Sequence, residues 1–309
     1  MVGRACSALL LLALFAPCAF AEPESPDPKE LLKSIRVLTE QDEKIESLDV
    51  RVKICLEGGL RWTLRATYRK PDRHALCLSD ANGLPILMAS DGRLLVFDSG
   101  NRKVVCMNEA KTKNCIRVLK DEKGNAQFQF GTMSEDDEKA GEPVVRVDIA
   151  SMFAGCEETL AAARKEKLVE LSARTDRGSE LRASLLPGTE FPCVAFKGRV
   201  KGQKEPAASV QIRVNQPPDI TFFSLPDLAT LSKYVAVETV PKDEAAGEAV
   251  RRFCQTWMSV LMVRAVPDTA EGRAAAEEKL GRKIDWDAVK EFDTTLADAL
   301  REAMKPTTP

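Results

Sequence analysis

Between Val50 and Tyr68 the chain alternates apolar and polar residues with a period of two. Val50, Val52, Ile54 and Leu56 are separated by Arg51, Lys53 and Cys55, and after Gly58-Gly59 the set Leu60, Trp62, Leu64, Ala66, Tyr68 alternates with Arg61, Thr63, Arg65, Thr67 and Arg69. Side chains of a strand point to opposite faces in turn, so this pattern predicts two strands with one buried face each, joined by a Gly turn. Lys70-Pro71-Asp72-Arg73 and Asp80-Ala81-Asn82-Gly83 read as turns around a strand at 74–79. Strands follow at 84–89, 93–98 and 103–108, separated by Ser90-Asp91-Gly92 and Ser99-Gly100-Asn101. Connections this short force antiparallel neighbours, which predicts a meander. Further strands are predicted at 113–119, 126–131, 144–149, 167–175, 180–186, 193–199 and 208–214, with 156–166 crossing as a helix and the sheet ending near Phe223.

The period changes to that of a helix at both ends. Asp27, Pro28 and Glu30 stand at N-cap, N1 and N3, and Leu31, Leu32, Ile35, Leu38 and Ile45 form one apolar stripe behind them. In the Ala-rich stretch 243–309, Val250, Phe253, Trp257, Val260 and Leu261 make an apolar helical face. Pro267-Asp268-Thr269 ends that helix and caps the next, and Val289, Phe292, Leu296, Leu300 and Ala303 mark a last one. This predicts a helical C-terminal extension.

The first residues change the setting. Arg4, the apolar run Ala8–Phe15 and Ala19-Phe20-Ala21 form a secretory signal cleaved before Glu22, which predicts a periplasmic or secreted protein with no transmembrane segment after cleavage. The organisation is a signal peptide at 1–21, a Pro-rich acidic linker at 22–28, a sheet domain at 29–225 and a helical extension at 226–309. Seven cysteines follow the signal, none in a C-x-x-C pair, so a zinc or thioredoxin-type site has no support. If 103–108 folds back on 113–119, Cys106 and Cys115 stand opposite one another and within reach of a disulfide; unbridged thiols are the plainer expectation.

The composition is that of a globular protein, 44% apolar and 30% charged over 309 residues. Net charge is −2, with no overall excess of cations for nucleic acid or an anionic membrane. The acidic run Ser134–Glu142 lacks a calcium-loop spacing and reads as a solvated turn. A single histidine, His74, excludes two-imidazole chemistry, and phosphate loops, G-x-S-x-G and H-E-x-x-H are absent. Asp285 and Asp287 flank Trp286 at a helix start, where capping accounts for them. No catalytic residue, metal or cofactor is expected.

The strand bearing Trp62, then Arg69-Lys70-Pro71-Asp72-Arg73, then Ser90-Asp91-Gly92-Arg93-Leu94-Leu95-Val96-Phe97-Asp98 and Lys103-Val104-Val105, resembles the LolA/LolB-like lipoprotein-carrier superfamily over about 29–225. The helical tail departs from that pattern. The resemblance implies an α+β fold: a strongly curved antiparallel sheet or unclosed β-barrel, covered by helices, whose apolar concave face accepts acyl chains or an apolar segment. The cavity set is then Val52, Ile54, Trp62, Leu64, Leu76, Leu78, Phe128 and Phe130, with Leu31, Leu32, Ile35 and Leu38 as a helix lid. An apolar cavity is the usual ligand site. The same residues serve equally as an ordinary core packed on that helix. Two functions follow: a non-catalytic envelope protein holding lipid or lipoprotein acyl chains, or an extracytoplasmic sensor or scaffold with a solid core that binds another envelope protein through its helical tail.

Overall fold

The structure, a computed structural model, describes residues 26–55, 61–71, 73–90, 93–107, 112–120, 126–134, 145–216, 223–240, 260, 263–264 and 268–305; within 112–134 the side chain described is that of Val118. The fold is α+β, with a large, mostly antiparallel sheet and a few helices. The sheet has twelve strands, in spatial order β11 (Ala161–Lys165), β12 (Leu168–Arg174), β13 (Glu180–Leu185), β14 (Cys193–Arg199), β15 (Ala208–Val214), β2 (Ser47–Cys55), β3 (Arg61–Arg69), β4 (Arg73–Ser79), β5 (Pro85–Ser90), β6 (Arg93–Asp98), β7 (Lys103–Met107) and β16 (Ala236–Val240). The end strands β11 and β16 do not meet, so it is not closed. A second sheet runs β1 (Leu38–Thr39), β10 (Val145–Val147), β8 (Thr112–Lys120), β9 (Ala126–Ser134). Among the described strands only β16 on β7 and β10 on β8 pair in parallel.

The meander from β2 to β7 follows the sequence pattern, and its registers align the apolar positions into rows across the strands. One row runs Leu171, Ala183, Phe196, Val210, Val52, Leu64, Leu78, Leu87, Val96, Val105 over ten adjacent strands. Every member is between 0 and 3% exposed. Burying a leucine in such a row contributes about 2 kcal/mol, as an upper estimate. The second sheet lies over this face: β8 packs on β4, and Val118, Val147 and Leu38 join the same core.

The other face of the large sheet is divided. Over β2 and β3 it carries Arg51, Lys53, Thr63 and Arg65, which reach solvent. Over β6 and β7 it carries Leu95, Phe97, Val104 and Cys106, which pack under a helical layer as a second core. That layer comprises α2 (Leu228–Leu231), Val235 and one face of α4 (Trp286–Ala303), whose Phe292, Leu296, Ala299, Leu300 and Ala303 point inward at helical spacing. Asp285 caps α4 by accepting from the Ala288 N–H at 3.0 Å, as expected from its position. Thr269 caps α3 (Ala270–Leu280), and Gly281 closes it at φ +64°, a left-handed turn that glycine adopts without strain.

Four expectations are corrected. The first helix is short: α1 (Pro28–Ser34), capped by Asp27, ends where Ile35 becomes extended. Leu31 and Leu32 sit on it partly buried, but Ile35 lies beyond it and Leu38 belongs to β1, paired with Val147; the pairing of β1 with β10 overrides the helical periodicity. Residues 161–165 are strand β11, not helix, because the row Ala161–Lys165 pairs throughout with β12 and the Thr159 hydroxyl donates to the Arg174 carbonyl at 2.7 Å. The sheet continues past Phe223, since β16 adds to β7 with Val240 buried and Glu238 paired to Lys103. That addition occupies the free edge of β7, so β8 does not fold back on it. Cys106 stands buried between Leu95 and Thr239, and Cys115 stands opposite Gly131 in the other sheet; the register for a Cys106–Cys115 bridge is not formed.

Candidate functional site

The apolar face changes character at one end of its central strands. The row next to the long one reads Leu181, Gly198, Ala208, Ile54, Trp62 across β13, β14, β15, β2 and β3. Its members Gly198 and Ala208 are small, whereas Leu181, Ile54 and Trp62 are large and only partly buried against the core. The register sets the small side chains of Gly198 and Ala208 between Leu181 on one side and Ile54 and Trp62 on the other, an apolar strip of low relief that we call the trough. A Cβ added at Gly198 would approach Leu181 Cδ2 and the Phe196 ring no closer than 3.8 Å, so a larger side chain there would fill the trough before it strained the sheet.

Trp62 adds a polar feature. Its indole Nε1 is buried and, among the described residues, has no hydrogen-bond partner. A buried donor left unpaired costs about 1–3 kcal/mol, and such groups in folded proteins are nearly always satisfied. A ligand bringing an apolar chain into the trough and a carbonyl or carboxylate oxygen to this N–H would remove that cost.

The expected cavity set is split. Val52, Leu64, Leu76 and Leu78 are buried core positions, packed among themselves and against Ile86 and Val96. Ile54 and Trp62 are the two at the trough. Phe128 and Phe130 lie on β9, opposite Val118 and Ile116 of β8, and their side chains fall outside the described residues. Beside the extended segment that follows α1, a void of about 10 Å³ lined by Ile35, Leu38, Phe191, Cys193 and Ile212 has room for one water molecule and no more. An open hollow of about 440 Å³ beside the C-terminus of α3 is lined by Glu277, Glu278, Arg282 and Lys283 and is too polar for an acyl chain.

Periodicity did not mark a buried polar cluster at the same end of the sheet as the β4–β5 and β6–β7 turns. The Arg264 guanidinium, 2% exposed, donates to Asp293 Oδ1 and Ser99 Oγ at 2.6 Å and to the Pro85 carbonyl at 3.3 Å, and lies 3.4 Å from Asp80 Oδ2. It joins both turns to α4. Burial pulls Arg264 below its ordinary pKa while Asp293 and Asp80 oppose that shift, and burial raises Asp293 against the pull of Arg264. Asp98, fully buried beside this cluster, is also raised by burial, against two hydrogen bonds from Asn101. Every polar partner here is a protein group, so the cluster is a tether for the helical layer. The signal visible in sequence was only the turn character of Asp80 and Ser99.

The His74 ring lies 5.1 Å from that of Tyr68, its cross-strand partner, with the planes tilted by 39°, and Glu40 is at 3.9 Å. Cys55, Cys77 and Cys193 are free thiols; burial raises Cys77 and Cys106, and pushes Cys193 up to about 12. Among the described residues no group of three or more His, Cys, Asp or Glu could hold a metal ion, and no helix is long and apolar enough to cross a membrane. The signal peptide expected at 1–21 lies outside the described residues. No protein-family model and no curated sequence matches the chain.

Proposed function

We propose that this protein is a non-catalytic binding protein of the periplasm or the extracellular space that holds lipid or lipoprotein acyl chains, with the trough at the Trp62 end of the apolar face as its site. The observation that carries the proposal is the buried indole N–H of Trp62, without a partner among the described residues, in the same row as the small residues Gly198 and Ala208. An acyl chain matches the apolar walls, and its ester or carboxylate oxygen matches the donor. The resemblance of the meander to the LolA/LolB-like carriers points to the same ligand class. The test is titration with a fluorescent fatty-acid probe. Saturable binding is expected, weakened about tenfold by Gly198→Val and several-fold by Trp62→Phe; absence of saturable binding to the unmodified chain would overturn the assignment.

A second function is favoured by a different observation. Val52, Leu64, Leu76 and Leu78 are closed core positions, which suits a solid sensor or scaffold that engages a protein partner. The apolar stripe of α4 faces the sheet, so such a partner would meet the polar side of the tail. Lipid-free protein recovered with a specific partner that is lost on deleting 286–305 supports this alternative.

A further inference from the structure

The solvent face of the central strands concentrates positive charge that the net charge of the chain conceals. Arg51 on β2 stands directly opposite Arg65 on β3, and Lys197 on β14 stands directly opposite Arg182 on β13. Like charges placed across a strand pair destabilise a sheet. Arg65 is relieved by Asp49 at 3.0 Å, and Arg182 by Glu170 and Glu180. Among the described residues no ion pair is formed by Arg51, Lys53, Lys197 or Arg213, of which the last three are exposed. These cations share one face of five adjacent strands, β13, β14, β15, β2 and β3, a span of roughly 19 Å at the usual strand spacing.

We infer that this face docks on a membrane surface rich in anionic lipid headgroups. Charge complementarity selects an anionic occupant, and the shape of the surface selects among anions. The outward positions interleaved with the cations are Thr63, Ser209, Gln211 and Ala195, small or polar and without an aromatic ring on which a nucleobase could stack. Glu170 and Glu180 lie within the same face, and a polyanion of fixed phosphate spacing cannot avoid them. Lipid headgroups diffuse laterally and gather at the cations alone. The inference does not rest on acyl binding at the trough, because the two sites are on opposite faces of the sheet.

The test is co-sedimentation of the full chain with vesicles of phosphatidylcholine alone and of phosphatidylcholine with 30% phosphatidylglycerol. Binding at least tenfold stronger to the anionic vesicles is expected at low salt and falls steeply by 0.5 M salt, where screening is nearly complete over a few ångströms. The fourfold variant Arg51→Gln, Lys53→Gln, Lys197→Gln, Arg213→Gln loses that preference. A second variant, Lys279→Gln with Lys290→Gln, removes cations elsewhere and keeps it, and an unchanged thermal transition for both shows that folding is not at issue. Trp62→Phe leaves vesicle binding unaltered, which separates failure of this inference from failure of the acyl site. Equal binding to both vesicles, salt-insensitive binding, or a fourfold variant that still prefers anionic vesicles would overturn the inference, as would binding to soluble heparin or polyglutamate without binding to vesicles.

Discussion

Strands β2 and β3 and strands β6 and β7 belong to one sheet, yet they answer to different solvents. On β2, the positions facing away from the core include Arg51 and Lys53, which reach solvent; on β6 they are Leu95 and Phe97, covered by α4. The alternation in the sequence is correspondingly clear for β2 and β3 and absent for Leu94-Leu95-Val96-Phe97, a continuous apolar run. A strand buried on both faces reads as such a run. One sheet therefore holds two cores, with Val96 in the inner and its neighbour Phe97 in the outer.

That division can be broken one residue at a time. Phe97→Ala should remove about 4 kcal/mol and expose the amides of 286–303 to hydrogen exchange. Val96→Ala, one residue away, should cost about 2 kcal/mol and spread the loss over the inner core. Identical exchange patterns for the two variants would mean that the cores are one cooperative unit. Arg264→Met should cost about 3 kcal/mol, because Asp80 and Asp293 would be left partly buried without their cation. Its signature is early release of α4 in a urea titration followed by exchange, with the inner core intact.

The polar cluster also fixes a pH dependence. Asp98 and Asp293 have folded values raised by burial, so the folded state retains protons that the unfolded chain has already released. Their contribution to stability is therefore greatest below about 3.8 and declines as the pH rises through the raised folded values. Asp98→Asn should flatten that slope, read as the urea midpoint between pH 4 and 7. The smallest effect concerns thiols: Cys193, pushed up to about 12 and buried near the segment that follows α1, should resist iodoacetamide at pH 8 until the protein unfolds. Rapid labelling of native Cys193 would show that the apolar face opens.

How much of this was legible in the sequence follows from where the determinants lie. The rows around Val52, Leu64 and Leu78 were legible because one-sided burial writes a period of two. The cap at Asp285 and the stripe Phe292, Leu296, Leu300 were legible because helix ends and faces are local features. What was not legible depends on residues far apart in the chain. Leu38 looked helical until β10 paired with it, and Val237 looked like part of a tail until it joined β7. The trough could not be seen either, since Gly198, Ala208 and Ile54 become neighbours only through the register of three strands. Arg264 gave no signal at all: a lone arginine in a helical stretch reads as surface, and only folding brings it to Asp80 and Ser99.

The most direct test of acyl binding at the trough is quenching of Trp62 by a fatty acid carrying bromine on its chain, in a variant with Trp257→Phe and Trp286→Phe that leaves Trp62 as the single indole. Saturable quenching whose midpoint Gly198→Val raises about tenfold is the predicted result. Emission from Trp62 that remains unchanged to saturating brominated ligand, in a protein with an intact thermal transition, would contradict the account.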